Sequence, residues 1–392
     1  MLSLNLKLRH WVAFLVGALF LVLYYIYHQY APPYAIYDAL AQSESRASLA
    51  LVADRNPPKY VFFRQLQGAG FNNQVQEVLL YHHLALLTSR IYVYQPLIWQ
   101  PRRASLPLSA FLPGVTTESI TSAVFDRVCP PSEVTHVSLN VENDIWEHAR
   151  EVLSRPDKCM VVDDWLFRWT FLASPAIHPI WPSFQHYLSL HFKWSAHILD
   201  IAERARPTEP YMALHLRRGD FEDHCRGLAS SQTGFTTWAT LPGLNDAVFP
   251  PSLDPTNYTS VMEHCYPSLR RILDAIDSQA RANPHINGLH VLHDGAWDHP
   301  LVYLQYFKLE AAVKSPARIL RAGWKGGPMK VVTHSGTLPV GRGESDWAVA
   351  VDVELAIKAS VFIGNGYSSL SSQIVALRLA KDRARTADIT LL

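Results

Sequence analysis

Two arginines follow a strongly apolar segment in the second half of the chain, in the run YMALHLRRGDF over residues 211–221. Alternation along a strand places His215 and Arg217 on one face and Arg218 on the other. In open α/β sheets, ligands bind beyond the carboxyl ends of the strands, and a guanidinium group matches the oxygens of a diphosphate. The pattern favours a ligand-binding role for His215 and Arg217. An arginine–aspartate pair that closes a surface turn is the alternative.

A run of serines follows another apolar segment near the C-terminus, in FIGNGYSSLSS over residues 362–372. Ser369 or Ser371 is predicted to cap the helix that begins there. Serine hydroxyl groups and the free N–H groups at the start of a helix also bind phosphate. Capping alone is the simpler interpretation, but four serines are more than one cap needs.

A glycine-containing turn, QGAGFNNQ over residues 67–74, lies between a predicted strand and a predicted helix. Gly68 and Gly70 would permit a sharp turn and the close approach of a ligand to the backbone. The free N–H groups of the following helix attract phosphate or sugar oxygens. The spacing is not the G-x-G-x-x-G dinucleotide fingerprint, and an ordinary strand-to-helix turn is the alternative.

Metal binding is not indicated by the acidic residues and histidines. Asp163 and Asp164 follow a predicted strand, and adjacent residues there point in opposite directions, which makes metal coordination by both difficult. The 18 histidines show no metal-ligand spacing such as HExxH. We therefore interpret the two aspartates as structural residues.

The N-terminal region contains one long apolar segment, WVAFLVGALFLVLYYIY over residues 11–27, which carries no charge. Basic residues precede it and tyrosines cluster at its end, so we predict a membrane-spanning anchor with the N-terminus in the cytoplasm. Residues 1–10 would form a cytoplasmic tail, and the proline-punctuated residues 28–56 a stem. A cleaved signal peptide is less favoured because bulky tyrosines occupy the place of a cleavage site, and a buried soluble helix is a third option.

The four cysteines, Cys129, Cys159, Cys225 and Cys265, are an even number with no CxxC pair. In a lumenal chain they indicate disulfides, for which three pairings exist. We favour Cys129–Cys159 and Cys225–Cys265, since these partners are nearest in sequence. Four buried free thiols would suit a cytosolic protein better. Asn257 begins a glycosylation sequon, which is informative only in a lumenal chain.

The composition limits the class of protein. The 392 residues are 48% hydrophobic and carry a formal net charge of +1, without a basic stripe, so no nucleic-acid partner is expected. A single candidate membrane span excludes a transporter. Chain length favours two domains in the body.

From residue 59, short apolar runs alternate with longer helical stretches, which indicates an α/β fold with parallel sheets. Strands are predicted at residues 60–63, 90–94, 159–162, 211–216, 289–292, 330–333 and 361–364. Helices are predicted at residues 73–88, 184–204, 258–282, 351–358 and 369–381. A boundary near residue 206 would separate two Rossmann-like domains facing each other across a cleft, one over residues 57–206 and the other over 207–392.

In this order, the three clusters resemble the GDP-fucose protein O-fucosyltransferase family over roughly residues 59–380. HLRRGDF and FIGNGYSSLSSQ carry the resemblance most clearly. It implies a GT-B fold and metal-independent, inverting transfer of fucose from GDP-fucose to a hydroxyl of a protein or glycan. The acceptor would bind on the side of the first domain and the nucleotide sugar in the second. It also implies a single-pass type II membrane protein of the Golgi or endoplasmic reticulum with a lumenal catalytic domain.

The resemblance assigns roles to individual residues. Arg217 and Asn73 would be catalytic, with Arg217 bracing the diphosphate and Asn73 near donor and acceptor. His215 would contact the nucleotide, and Asp352 the guanine or ribose. The other residues expected to bind substrate are Gly68, Gly70, Phe71, Asn72, Ser368, Ser369 and Ser371.

Two departures from the family pattern leave the general base open. Ala69 stands where one branch of the family has a glutamate that can act as base, and Leu370 replaces a phenylalanine in the serine motif. Glu77, Asp220 and Glu222 are candidates by residue type, and a mechanism without a dedicated base is another option. A different nucleotide sugar, or an inactive lumenal relative that binds a glycan or client protein, are the competing functions.

Overall fold

The computed structural model describes residues 2–29, 34–54, 58–65, 69–99, 104–139, 144–167, 169–219, 221–294, 300–341, 343–381 and 385–392. Strands in these ranges are β1 Tyr60–Phe63, β2 Ile91–Tyr94, β3 Leu97–Trp99, β4 Ala104–Leu106, β5 Ser119–Thr121, β6 Val134–Val137, β7 Cys159–Val162, β8 Tyr211–Leu216, β9 Gly288–His293, β10 Val331–His334, β11 Val361–Gly364 and β12 Ile389–Leu391. Helices are α1 Leu2–Gln29, α2 Tyr34–Asp54, α3 Phe71–Leu87, α4 Pro113–Thr116, α5 Ser122–Val128, α6 Ile145–Leu153, α7 Trp169–Leu172, α8 Trp181–His191, α9 Ala196–Ala205, α10 Phe221–Ser230, α11 Tyr258–Cys265, α12 Leu269–Ala282, α13 Pro300–Lys314, α14 Pro316–Ala322, α15 Ala348–Lys358 and α16 Ser369–Ala380.

Two parallel five-stranded sheets form the body, and this confirms the predicted α/β class. The first has the strand order β5-β2-β1-β7-β6 and the second β10-β9-β8-β11-β12. All six residues of β8 are buried, as expected for a parallel strand that helices cover on both faces. The sheets lie on either side of the predicted boundary near residue 206, whose position as a domain boundary stays a prediction.

Apolar strands were the most predictable elements. The strands predicted at residues 60–63, 159–162, 211–216 and 361–364 are confirmed at those bounds. The edge strands β5, β6 and β12 were missed, because runs of only three or four residues are too short to show a periodicity that separates them from the loops around them.

Two predicted long helices are each divided in the structure. Residues 184–204 form α8 and α9, because Phe192 has extended backbone angles (φ −77°, ψ 116°) and ends α8. Residues 258–282 form α11 and α12, with Pro267 in the break and the Ser268 hydroxyl accepting the Arg271 N–H at the start of α12. The apolar periodicity of the sequence continues across both breaks, so periodicity alone did not indicate them.

The predicted stem differs from a flexible tether, because α2 packs against the body. The Ser48 hydroxyl accepts the Thr121 N–H at 3.1 Å, and the Glu44 carboxylate accepts the Ser109 N–H at 2.6 Å. The Tyr37 hydroxyl donates to Asp346 in the second half at 3.3 Å. Residues 34–54 are therefore a packed helix whose face with these side chains is buried, and the stem over residues 28–56 stays a prediction. The prolines at 32 and 33 lie outside the described residues.

Both favoured disulfides are confirmed, Cys129–Cys159 at the end of α5 and Cys225–Cys265 between α10 and α11. Among the residues that the structure describes, no helix combines the length and the apolar character required of a bilayer span.

The two halves share a hydrophobic core on one side. Phe184 of α8 stacks on Trp238 of the second half, with ring centroids 4.9 Å apart, and Trp181 lies 5.2 Å from the same ring. Gln76 of α3 donates to the Ser369 carbonyl of α16 at 2.8 Å. These contacts hold the start of α3 close to the start of α16.

Candidate functional site

The central strands of the second sheet bring three chemically active segments together. In this sheet β8 lies between β9 and β11, and all three run parallel. Their carboxyl ends therefore meet at one edge, where Arg217 follows β8, Asp294 follows β9 and Ser368 follows β11.

Two adjoining cavities open at this edge. The central cavity, of about 460 Å³, is lined by Asn73 and Glu77 of α3. The second-sheet cavity, of about 530 Å³, is lined by His215 and Asp352. Both share one wall, which consists of Gly70, Arg217, Ser368 and Ser369. Residues far apart in sequence thus surround one space between the two halves.

Arg217 lies in the shared wall and forms an ion pair with Asp294. The other oxygen of Asp294 accepts the Arg218 N–H at 3.1 Å, so one carboxylate fixes both the side chain and the backbone. The guanidinium carbon lies 4.9 Å from the centre of the Phe221 ring. Asp294 was missed by the sequence analysis. Its signal was an acidic residue two positions after the strand predicted at residues 289–292.

His215 is buried in the second-sheet cavity, and burial lowers its pKa to about 3, with further contributions from Arg217 and His293. Its Nδ1 lies 2.8 Å from the Ser371 hydroxyl, which itself accepts the Asn365 N–H at 2.9 Å. In the tautomer in which the serine donates its hydrogen to Nδ1, the neutral ring carries its own hydrogen on Nε2. A hydrogen-bond donor is thereby available for a ligand.

Arg218 has a structural role, as its position on the opposite face of the strand suggests. It is 3% exposed, and its guanidinium donates to Gln305 at 2.6 Å and to the Pro267 carbonyl at 2.6 Å. Only Arg217 of the two arginines faces the cavities.

The serine run divides between packing and the cavities. Ser368 is the N-cap of α16 and forms no side-chain cap hydrogen bond, so the prediction that Ser369 or Ser371 caps the helix was wrong. Asn365 accepts the Tyr367 N–H at 2.9 Å and forms the turn that sets this start. The Ser371 hydroxyl is used by His215, whereas Ser368 and Ser369 line both cavities.

The start of α3 faces the same space from the first half. Gly70 is the N-cap, and a Cβ added to it would meet no atom within 4 Å. Asn73 lines the central cavity, and Asn72 lines the second-sheet cavity. The Asn72 Oδ1 is buried and accepts no hydrogen bond from any residue that the structure describes.

The remaining residues of this predicted turn differ in their surroundings. Phe71 borders the second-sheet cavity, but its ring also packs against Phe111 at 5.0 Å and Trp99 at 5.8 Å, which anchors the start of α3. Gly68 lies outside the described residues.

Asp352 lines the second-sheet cavity and is 6% exposed. His290 Nε2 lies 2.9 Å from one carboxylate oxygen, and the Ser335 hydroxyl donates to the other at 2.7 Å. The carboxylate is therefore held in a fixed orientation.

Of the candidate bases, Glu77 lines the central cavity and is 5% exposed. It lies one helical turn after Asn73, on the same face of α3. Glu222 is instead paired with Arg226 at 2.6 Å on the surface. Asp220 falls outside the described residues.

Thr236 and Thr237 line the central cavity and were missed by the sequence analysis. They belong to the irregular insertion over residues 226–255, where no apolar run marked a strand end. The Thr237 hydroxyl bonds to Ser372, and the Trp238 N–H donates to the same serine at 2.8 Å.

Asp163 and Asp164 hold neighbouring loops in place. His136 Nδ1 lies 3.0 Å from Asp163, and the Ser138 hydroxyl donates to Asp164 at 2.6 Å. Across the residues that could be placed, no group of three or more histidine, cysteine or acidic side chains is arranged to hold a metal ion.

Comparison with solved structures identifies the fold. POFUT1 in complex with GDP aligns with a TM-score of 0.53 and 17% sequence identity, covering 84% of this chain and 97% of that one. This chain has the fold of POFUT1. The apo form of POFUT1 aligns with a TM-score of 0.54, 15% identity, and 86% and 97% coverage. POFUT1 in complex with GDP-fucose aligns with a TM-score of 0.53 and 14% identity, covering 85% of this chain and 96% of that one.

No family model matches the sequence, and no curated protein matches it. At 14–17% identity, the likeness to POFUT1 establishes the fold. The predicted resemblance to O-fucosyltransferases is confirmed at that level.

Proposed function

We propose that this protein is a glycosyltransferase that moves fucose from GDP-fucose to an acceptor hydroxyl, with inversion and without a metal ion. The observation that carries this proposal is the wall shared by the two cavities, in which Arg217 meets Ser368 and Ser369. This wall lies in a chain with the fold of POFUT1, a protein that has been solved in complex with GDP-fucose.

The nucleotide is assigned to the second-sheet cavity and the fucose to the central cavity. His215 would donate from Nε2 to the nucleotide, and Asp352 would contact the guanine or ribose. The diphosphate would lie at the shared wall, where Arg217 supplies a charged fork. The free N–H groups at the starts of α3 and α16 add partial positive charge from the two halves.

This arrangement suits the breaking of a glycosyl–phosphate bond. As the C1–O bond of the donor breaks, the sugar becomes oxocarbenium-like and charge develops on the β-phosphate. Arg217 and the helix N–H groups would stabilise that charge, and one such donor is typically worth about a hundredfold or more in rate. Asp294 would keep the guanidinium oriented before the donor binds.

We assign the role of general base to Glu77. It lines the central cavity together with Asn73 and Arg217, so a hydroxyl that attacks C1 would pass within its reach. Glu77 lies on α3, eight residues after Ala69, and would take the place of the glutamate that one branch of the O-fucosyltransferase family has at the position of Ala69. Asn73 would orient the acceptor hydroxyl.

The cellular location also stays a proposal, namely a type II anchor with the catalytic body in the lumen of the Golgi or endoplasmic reticulum. The uncharged run over residues 11–27 supports it. The two disulfides support an oxidising compartment.

The full-length protein, titrated by calorimetry with GDP, GDP-fucose, GDP-mannose and UDP-glucose in EDTA, tests this proposal. We expect binding of GDP and GDP-fucose, and slow release of fucose from GDP-fucose. Tighter binding of another nucleotide sugar than of GDP-fucose would show that the donor is that nucleotide sugar. Binding of GDP without hydrolysis or transfer would instead indicate an inactive lumenal binding protein, and activity restored only by Mg²⁺ or Mn²⁺ would contradict metal independence.

A further inference from the structure

A third cavity, the first-sheet cavity, lies at the carboxyl edge of the first sheet and has a volume of about 890 Å³. It is lined by the last residues of β1 and β7 and by the residues that follow β1, β2 and β7, which are neighbours in that sheet. The polar side chains of the lining are Arg64, Gln65, Gln95, Asp163 and Asp164, and the aromatic ones are Phe62, Phe63 and Trp165. The proposed donor site does not use this cavity.

The first-sheet cavity is connected to the central cavity in two ways. Trp165 lines both. A smaller cavity of about 210 Å³ shares Gln65 and Gln95 with the first-sheet cavity, and it shares Glu77 with the central cavity. A ligand in the first-sheet cavity would therefore lie beside the proposed base.

The lining carries the hydrogen-bonding groups that sugar hydroxyls need. Each hydroxyl both donates and accepts, so a site for several of them requires carboxylates, amides and a guanidinium. The Arg64 side chain is exposed and forms no ion pair with any placed residue. Gln65 donates to the Tyr92 hydroxyl at 2.7 Å, which fixes the amide while its carbonyl oxygen stays available. The Asp163 carboxylate is also exposed and can accept hydrogen bonds from a ligand.

Trp165 supplies an apolar surface on which a sugar ring can pack. Its side chain is partly exposed and lies between the two cavities. The C–H groups on one face of a pyranose ring can pack against an indole, while the ring's hydroxyls bond to the polar side chains around it. Polar side chains beside a partly exposed indole are typical of a carbohydrate site, and the apolar ends of β1 and β7 complete the lining.

We propose that the first-sheet cavity is the acceptor site and that the acceptor is a glycan. Its sugar would stack on Trp165 and bond to Arg64 and Gln95. The volume lies within the range of about 300–1,000 Å³ found for small-ligand sites. A folded protein acceptor would instead need a broad surface of about 800 Å² on each partner.

This inference rests on the proposed function. The acceptor oxygen forms a bond to C1 of fucose while the bond from C1 to the β-phosphate oxygen breaks, and that oxygen leaves with the electron pair as GDP. The hydroxyl proton passes to the Glu77 carboxylate and then to solvent. The products are a fucosylated glycan, GDP and one proton.

The test uses the full-length protein with radiolabelled GDP-fucose and two acceptor panels. One panel contains free oligosaccharides: N-acetyllactosamine, chitotetraose and a biantennary N-glycan. The other contains secreted, disulfide-bonded protein domains made without glycans. We expect label in at least one oligosaccharide and none in the bare domains. Label in the bare domains, or in no oligosaccharide, overturns the inference.

Single-residue variants test whether the acceptor binds in the first-sheet cavity. Arg64→Ala and Trp165→Ala are each expected to raise KM for the accepted oligosaccharide about tenfold or more, and Trp165→Phe is expected to retain part of the affinity. Arg127→Ala removes an exposed arginine of α5 in the same half and serves as the matched control, with KM unchanged. An unchanged KM in both Arg64→Ala and Trp165→Ala overturns the assignment.

The dissociation constant for GDP distinguishes a failure of the proposed function from a failure of the glycan acceptor alone. If the wild-type protein fails to bind GDP, the proposed function fails. If it binds GDP and labels only bare protein domains, the proposed function stands and the glycan acceptor is wrong. Circular dichroism of each variant checks the fold, and Gln95→Ala replaces Arg64→Ala should the latter not fold, with the same rise in KM expected.

Discussion

At the scale of single residues, the site depends on which way neighbouring side chains point. Arg217 and Arg218 are adjacent, yet one lines both cavities and the other is 3% exposed and bonded to Gln305. Strand alternation alone predicted this division. It could not predict Asp294, which approaches Arg217 only because β9 pairs with β8.

Replacing Arg217 by lysine tests the role of its fork. A lysine keeps the charge but cannot bridge two oxygens, so Arg217→Lys is expected to lower kcat for fucose transfer about a hundredfold. Steady-state kinetics with GDP-fucose measure this change. Arg226→Lys, on the surface of α10, is the matched control. A kcat within threefold of the wild type in Arg217→Lys would remove this residue from the mechanism.

The proposed base gives a second prediction at this scale. Glu77→Gln keeps the shape of the side chain but cannot take a proton, and we expect kcat to fall by about 10²–10⁴ while GDP affinity changes less than threefold. Glu222→Gln is the control because its carboxylate lies on the surface. Near-normal transfer by Glu77→Gln would show that departure of GDP suffices without a base.

At the scale of elements, the site is assembled from strand ends and helix starts. The strands β8 and β11 could be predicted from the sequence because their buried residues are almost all apolar. His215 at the end of β8 and the turns after both strands carry the chemistry. Thr237 could not be predicted. It comes from an irregular insertion that is placed by its bond to Ser372 and by the packing of Trp238.

Two glycines at such junctions should respond differently to alanine. A Cβ on Gly70 would project into open space, so Gly70→Ala is expected to fold normally and to weaken GDP binding. Gly219 has a φ of +54°, and a Cβ there would lie 2.9 Å from Asp294, so Gly219→Ala is expected to destabilise the fold by about 1–2 kcal/mol. Urea unfolding and GDP calorimetry on both variants check this contrast, and the reverse pattern would contradict it.

At the scale of the whole molecule, the two halves act as one body around the cavities. The core contact between Phe184 and Trp238 and the bridge from Tyr37 to Asp346 join them. The sequence predicted two sheets and three motifs. It could not predict α2 as a packed helix, because its polar residues Glu44 and Ser48 are buried only through bonds to distant backbone groups.

Buried histidines in both halves make the stability of the whole fold depend on pH. Burial lowers the pKa of His82 and His215 to about 3, and that of His83 and His293 to about 4. Below pH 6.5 the unfolded chain therefore binds protons that the folded chain does not. The free energy of unfolding is therefore highest above this pH and decreases as the pH falls below it. Each histidine would contribute up to about 2 kcal/mol of loss between pH 7 and pH 5.

Urea unfolding at a series of pH values measures this loss. His83→Gln keeps a polar group beside Ser183 and should reduce the pH dependence by about one proton, whatever its effect on stability at pH 7. His285→Gln, on the surface, is the control. A free energy of unfolding that stays flat between pH 7 and pH 5 would contradict the assignment of neutral buried rings.

The central claim is that Arg217 and the start of α16 hold the same diphosphate. Calorimetric dissociation constants for GDP in the wild type, Arg217→Ala, Ser369→Ala and the double variant test it most directly. We expect each single change to weaken binding, and the double-mutant cycle to show a coupling of about 0.5 kcal/mol or more. GDP affinity that is unchanged in either single variant, or effects that simply add, would contradict the account.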